Sequence, residues 1–83
     1  LYNCVPNPFN PRTVIDYYIP QDAQVRLTIH DLRGETVATL VDGPRPGGRN
    51  QAEFNAMGLP SGVYLSSLTA GKSRATGKLV LIE

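Results

Sequence analysis

Hydrophobic and polar residues alternate along much of the chain, which predicts β-strands rather than helices. In residues 25–30 the apolar side chains of Val25, Leu27 and Ile29 alternate with polar ones, the pattern of a strand with one buried and one hydrated face. Residues 13–19 are rich in β-branched and aromatic side chains and alternate in the same way. We therefore expect a strand in each of these segments.

Turn residues predict how the chain continues after residues 25–30. Asp31 and Gly34 occupy the first and fourth positions of a type I turn, so we expect residues 36–41 to return antiparallel to residues 25–30 as a hairpin. Residues 42–48 contain two prolines and three glycines. That composition predicts a loop after the hairpin.

The second half of the chain has weaker but similar signals. Residues 49–54 are mostly polar and are expected to form an edge strand, whereas residues 62–68 and 74–82 predict two strands joined by a tight turn at 70–72. Residues 79–82 are apolar without alternation. A continuous apolar run predicts that both faces of the last strand are covered.

Six or seven short strands without a helical segment predict an all-β fold, an immunoglobulin-like antiparallel β-sandwich of about seven strands. Tyr64 follows Gly62 at a strand start, where such sandwiches place a corner tyrosine that bonds to nearby backbone; simple core packing is the alternative. The lack of Trp and of a cysteine pair excludes an antibody-type domain. At 83 residues, the chain is expected to form a single domain, 1–83.

A proline-rich segment, Pro-Asn-Pro-Phe-Asn-Pro at 6–11, precedes the first clear strand. Each proline fixes φ near roughly −65° and disfavours the helical region for the residue before it. We expect residues 1–12 to act as a rigid lead-in that guards a sheet edge and anchors Phe9 in the core.

Candidate chemistry for catalysis or metal binding is sparse. His30 and Cys4 are the only residues of their types. His30 falls on the hydrated face of its strand, so we expect a solvated imidazole rather than a catalytic base or a zinc ligand. The serine in residues 58–62 stands one position away from its place in a nucleophile elbow. Asp31 and Glu35 flank an exposed turn, where shifted pKa values are not expected. We predict no enzyme activity, cofactor or metal site.

Charge and aromatic content limit the possible partners. The net charge of +1 gives no basic field for nucleic acid, and no apolar run reaches the roughly 18 residues of a membrane span. A carbohydrate-binding module remains an alternative, although alternation leaves only Tyr18 and Tyr2 as exposed aromatics. Lys72, Arg74 and Lys78 form a small positive stripe, interpreted as a solvated strand face. A structural immunoglobulin-like adhesion or spacer module is a further alternative.

Four motifs follow one another in a specific order: a proline-rich opening, a Val-x-Leu-x-Ile hairpin, a Ser-Gly-x-Tyr strand start and a Lys-x-Val-Leu ending. Their members are Leu1, Pro6 to Pro11, Thr13, Val25, Leu27, Ile29, Asp31, Gly34, Val37, Leu40, Ser61, Gly62, Tyr64, Lys78, Val80 and Leu81. Together they resemble the C-terminal sorting domain of type IX secretion cargo, which is similar to the immunoglobulin-like domain of flagellar hook-capping proteins.

The resemblance implies a non-catalytic secretion signal at the end of a larger exported cargo protein of a Gram-negative bacterium. It implies passage through the periplasm to the cell surface or medium, recognition by the outer-membrane secretion machinery, and removal by a sortase-like protease on surface attachment. Residues 74–82 are expected to be captured by β-addition. The implied sorting-motif residues are Pro6, Asn7, Pro8, Phe9, Gly62, Tyr64, Lys78, Val80 and Leu81.

Overall fold

The computed structural model describes residues 12–56 and 58–82, together with the backbone of residues 2–5. Within them the strands are β1 Tyr2–Val5, β2 Arg12–Ile19, β3 Ala23–His30, β4 Thr36–Arg45, β5 Gly48–Asn55, β6 Gly62–Ala70 and β7 Ser73–Leu81. They form two antiparallel sheets, ordered β1-β2-β5 and β4-β3-β6-β7. The predicted all-β sandwich is confirmed, and its strand order is immunoglobulin-like.

The core lies between the two sheets because alternate side chains of each strand point inward. In β2, Ile15, Tyr17 and Ile19 are buried, whereas Tyr18 is 55% exposed, as the alternation predicts. Each of β2 to β7 contributes to this core. Its buried apolar members are Ile15, Tyr17, Ile19, Val25, Leu27, Ile29, Val41, Ala52, Phe54, Ala56, Tyr64, Leu68, Ala70, Leu79 and Leu81.

Strand β4 is longer than the sequence predicts, so the expected loop at 42–48 is largely wrong. The ladder between β3 and β4 continues to the pair Ala23 and Arg45. Pro44 is tolerated because β4 is an edge strand, where a missing backbone donor can face outward. The turn into β5 then needs Gly47, since a Cβ there would lie 2.8 Å from the Cα of Gln21.

The hydrated face predicted for β3 also needs correction. Thr28 is buried, and His30 is half-buried rather than solvated. The imidazole of His30 lies over Thr28, with Nε2 2.9 Å from Thr28 Oγ1 and Nδ1 3.2 Å from Thr36 Oγ1. Register shifts on both sides of the segment from Thr28 to Ile29 distort the ladder there, and such irregularities bend and twist a strand.

The final strand is covered on one face only, contrary to the prediction for residues 79–82. Leu79 and Leu81 are buried, but Val80 is half-buried and Ile82 is 47% exposed. Strands β4 and β7 are the two edges of their sheet. Strand β5 is an edge of the other sheet, as predicted for residues 49–54. The predictions for residues 6–11, including the Phe9 anchor, lie outside the described residues.

Candidate recognition surface

The connection between β5 and β6 is fixed by a tyrosine corner. The hydroxyl of Tyr64 donates a 2.6 Å hydrogen bond to the carbonyl oxygen of Pro60, and the amide of Leu59 donates to the carbonyl oxygen of Ala56 at 3.0 Å. The ring of Tyr64 is buried at the start of β6. The predicted corner tyrosine is therefore confirmed, and it holds one wall of a neighbouring cleft.

The opposite wall is the turn between β3 and β4, whose predicted geometry is also confirmed. The amide of Gly34 donates to the carbonyl oxygen of Asp31 at 3.0 Å. Asp31 Oδ1 accepts from the amides of Arg33 at 2.9 Å and Glu35 at 3.0 Å. Desolvation opposes the effect of these hydrogen bonds, but with the Arg33 guanidinium they hold the pKa of Asp31 below its ordinary value. Asp31 therefore acts as an ionised turn-stabilising group, and the expectation of unshifted pKa values at this turn is wrong for Asp31.

Between the two walls lies an open cleft of about 450 Å³. Leu32, at the tip of the turn, is 70% exposed and borders the cleft together with Val37, Leu59 and Val63. Among the described residues that line the cleft are Ser61 and several apolar side chains, but no His, Cys or Lys. The cleft can thus accommodate an apolar side chain.

A second feature is the outer surface of β6 and β7, which adjoins this cleft through Val63. Val63 lies opposite Val80, and Leu65 lies opposite Lys78. Leu65 is 41% exposed. We call this surface the β6–β7 outer face; by the alternation of burial it comprises Val63, Leu65, Ser67, Thr69, Arg74, Thr76, Lys78 and Val80, with Ile82 directly after β7.

Charge on this hairpin has one sign. Residues 62–82 contain Lys72, Arg74 and Lys78 and no aspartate or glutamate. All three cationic residues are exposed. The positive stripe predicted from the sequence is therefore present at the surface.

The outer surface of the other sheet is polar and balanced. We call it the β2–β5 outer face; it comprises Arg12, Val14, Asp16, Tyr18, Arg49, Gln51, Glu53 and Asn55. Gln51 Nε2 donates to Asp16 Oδ1 at 2.7 Å. Among the described side chains, Tyr18 is the one exposed large aromatic. Within the described side chains this single ring does not form the aromatic row on which sugar rings usually stack, and the side chain of Tyr2, the other aromatic predicted to be exposed, lies outside them.

The predicted motif residues meet where β6 begins and β7 ends. The ladder pairs Gly62 with Leu81, and Lys78 and Val80 lie on the outer side of the same two strands. Tyr64 and Leu81 are buried, so both serve the core. Only Lys78 and Val80 contribute side chains to the outer face, while Pro6, Asn7, Pro8 and Phe9 fall outside the described residues.

Sequence reasoning missed two members of this surface, Leu65 and Ile82. A signal for Leu65 was available, because an inward Tyr64 forces its neighbour outward. Ile82 was assigned to a covered strand because the apolar run 79–82 has no alternation to indicate its exposed side.

Other kinds of site find no support in the described part of the chain. Over those residues no group of three or more His, Cys, Asp or Glu side chains is arranged to hold a metal ion. The same residues form no helix that is long and apolar enough to cross a membrane.

The chain enters and leaves the sandwich at opposite ends. Tyr2 pairs with Tyr17 near the end of β2, beside the short connection into β3. Leu81 instead pairs with Gly62, next to the tyrosine corner. Anything attached before β1 therefore emerges away from the cleft and from the end of β7.

Comparison with known proteins agrees with the motif order. A family model described as the secretion system C-terminal sorting domain matches residues 3–83. A search of curated proteins found no match.

Proposed function

We propose that this chain, which belongs to the family of secretion system C-terminal sorting domains, is a folded, non-catalytic tag that directs an attached cargo protein across the outer membrane. The family match over residues 3–83 is the observation that carries this function. Such domains are signals for the type IX secretion machinery. The destination is accordingly the cell surface or the extracellular space.

The geometry of the two chain ends supports a division between cargo and recognition. Cargo that precedes β1 would emerge beside the turn between β6 and β7, where Gly71 adopts φ +59° and donates from its amide to the carbonyl oxygen of Gln24. The cleft and the end of β7 lie at the other end of the sandwich. A machinery component could bind there without meeting the cargo.

We further propose that a sortase-like protease removes the domain when the cargo is joined to the surface. The buried apolar core of the described residues runs from Ile15 to Leu81. A cut before β1 would leave this core intact and release a folded domain. Mass spectrometry of surface cargo should then find no peptides from residues 12–82; their retention would contradict removal.

Sufficiency of the tag can be tested with a passenger protein. Residues 1–83 are fused after a periplasmic passenger in a host with an active type IX system. We expect the passenger in the medium or on the surface only when the tag is attached and the machinery is intact. Passenger that stays in the periplasm with the tag attached would overturn the proposed function.

Two further measurements separate the alternative functions. Retention of the domain in the mature surface protein, with no effect on export, would indicate a structural adhesion or spacer module. Binding of the isolated domain to insoluble polysaccharide, lost on Tyr18→Ala, would indicate a carbohydrate-binding module.

A further inference from the structure

Most of the described motif residues in β6 and β7 serve the interior of the sandwich. Tyr64 is 6% and Leu81 2% exposed, so both offer little side-chain surface to a partner of the folded domain. Gly62 adopts φ +151°, a backbone conformation that residues with a Cβ rarely adopt. These three residues therefore determine the conformation of the tag and not the chemistry of its surface.

The hairpin of β6 and β7 is held by a strand from much earlier in the chain. Strand β6 lies between β3 and β7, and its ladder with β3 runs from the pair Val25 and Ala70 to the pair His30 and Leu65. An isolated two-stranded hairpin is only marginally stable in water. The conformation of the hairpin therefore depends on β3.

The exposed side chains of the hairpin are also brought together by folding. Val63 lies opposite Val80, and Leu65 lies opposite Lys78. Together with Ile82, the residues Val63, Leu65 and Val80 form an apolar cluster at one end of the β6–β7 outer face. This cluster exists only when the two strands are paired, because its members come from both of them.

The tyrosine corner couples the start of β6 to the other sheet. Tyr64 donates to Pro60 at 2.6 Å, and Leu59 donates to Ala56, which directly follows β5 and is buried. Strand β5 belongs to the sheet of β1 and β2. Since Tyr64 and its cross-strand neighbour Leu79 are both buried in the core, the hairpin is in place only when the sandwich has closed.

We propose that the tag is a conformational signal: the secretion machinery binds the closed sandwich and not a linear segment, so cargo is exported in proportion to the fraction of tags that are folded. This inference rests on the proposed sorting function and adds a folding requirement to it. When a partner binds only one of two states, its apparent affinity is reduced by the fraction of molecules in that state. Cargo whose tag has not folded therefore stays in the periplasm.

The small size of the domain makes this requirement effective. A domain of 83 residues has a small core and is only marginally stable. Damage to the core then unfolds a large fraction of the tags, whereas substitutions at exposed positions change that fraction little. Export should thus depend on core residues throughout the sandwich, including those far from β6 and β7 in the chain.

Two double variants of a full-length tagged cargo test this requirement while leaving residues 62–83 unchanged. One places carboxylates in the core by Ile15→Asp with Leu27→Asp, at fully buried positions in one strand of each sheet. The control places them at exposed positions of the same two strands by Val14→Asp with Gln24→Asp. Both variants lower the net charge from +1 by two, so charge does not distinguish them.

The two variants should behave differently. Two unpaired carboxylates in the core cost more than a marginally stable domain can offset, so circular dichroism of the purified core variant should show an unfolded chain. We expect its export to fall at least about tenfold. The retained cargo should be found in the periplasm with a mass that includes the tag. The control should fold and export within about twofold of wild type.

The outcomes separate the folding requirement from the sorting function. If the wild-type tag fails to export its cargo, the sorting function itself is wrong. If the wild type exports and the core variant, unfolded by circular dichroism, exports as well as the control, the machinery recognises a linear segment and the conformational signal is wrong while the sorting function stands.

A milder variant, Ile15→Ala, extends the test to a domain that is still able to fold. Its folded fraction is measured by circular dichroism at several growth temperatures, and its exported fraction is measured at the same temperatures. We expect the two fractions to fall together as the temperature rises through the melting transition. Export that does not change with the folded fraction would overturn the conformational signal.

Discussion

The outer faces of the two sheets share a strand architecture but expose different chemistry. On the β2–β5 outer face, Arg12 and Arg49 are matched by Asp16 and Glu53, and Asp16 is engaged by Gln51 within the same face. On the β6–β7 outer face, cations adjoin an apolar cluster, and the hairpin has no carboxylate of its own. The charges of one face are balanced within it, whereas the other combines positive charge with exposed apolar area.

The difference shows which part of a small sandwich carries information about recognition. The inner sides of both sheets contribute apolar residues to one core, so packing does not distinguish them. The distinguishing feature is which residues lie beside each exposed side chain. Val14 and Tyr18 are exposed but separated by Asp16, while Leu65 adjoins the pair of Val63 and Val80.

Truncation of a core side chain should have the largest effect on the free energy of unfolding, and this effect should be similar in the two sheets. Ile15 lies behind the β2–β5 outer face and Leu79 behind the β6–β7 outer face, and both are fully buried. We expect either Ile15→Ala or Leu79→Ala to lower the free energy of unfolding by about 2–5 kcal/mol, because each leaves a cavity. Chemical denaturation measures this. A loss of stability in only one of these two variants would show that the inner sides of the sheets do not contribute equally to the core.

A matched pair of tyrosine substitutions should give a smaller contrast. Tyr64→Phe removes the hydrogen bond to Pro60 and should cost about 1 kcal/mol of unfolding free energy. Tyr18→Phe, on an exposed side chain, should change it by less than about 0.5 kcal/mol. Equal denaturation midpoints for Tyr64→Phe and wild type would show that the corner bond contributes nothing net.

Stability at high pH should depend on Tyr17, the buried tyrosine in β2. Burial raises the pKa of Tyr17, although the nearby Arg45 guanidinium opposes this, and within the described residues its hydroxyl has no hydrogen-bond partner. Below about pH 10, the ordinary value, both folded and unfolded chains keep the proton and stability is unaffected. Above it the unfolded chain ionises first, so stability falls as pH rises towards and through the raised pKa.

The variant Tyr17→Phe isolates this effect from the other titrating groups. We expect wild type to lose more stability than Tyr17→Phe between pH 9 and pH 11, a window set around the ordinary tyrosine pKa of about 10. Parallel stability curves for the two proteins over that window would contradict the burial argument.

Surface substitutions should have the smallest effect on stability. Leu65→Ser and Val14→Ser should each change the free energy of unfolding by less than about 0.5 kcal/mol, since neither side chain is part of the core. This result would sharpen the comparison of faces, because a difference in export could not then be explained by folding. A large loss for Leu65→Ser alone would instead make it a structural residue.

Much of the fold follows from local pattern, because alternation in residues 13–19 and 25–30 and the turn at Asp31–Gly34 are local signals. The sequence failed where tertiary position overrides composition. Pro44 was assigned to a loop, but the edge position of β4 accommodates it. Thr28 was expected on the hydrated face of β3, but the imidazole of His30 covers it.

The candidate site was predicted less completely than the fold. Motif order identified Lys78 and Val80, and the position of Tyr64 predicted its hydrogen bond to the backbone. The apolar cluster depends on which residues of β6 and β7 lie opposite each other. That register is set by pairing across the hairpin and by the core behind it, so single segments of sequence do not contain it.

The most direct test of the account measures export of a tagged passenger after charge reversal on each face. One variant combines Arg74→Glu with Lys78→Glu, and the other combines Arg12→Glu with Arg49→Glu. Each substitution changes the charge by two, so both variants move the net charge from +1 to −3. We predict that the first abolishes most export while the second preserves it. Equal export by the two variants would contradict a role of Arg74 and Lys78 in the recognition of this tag by the secretion machinery.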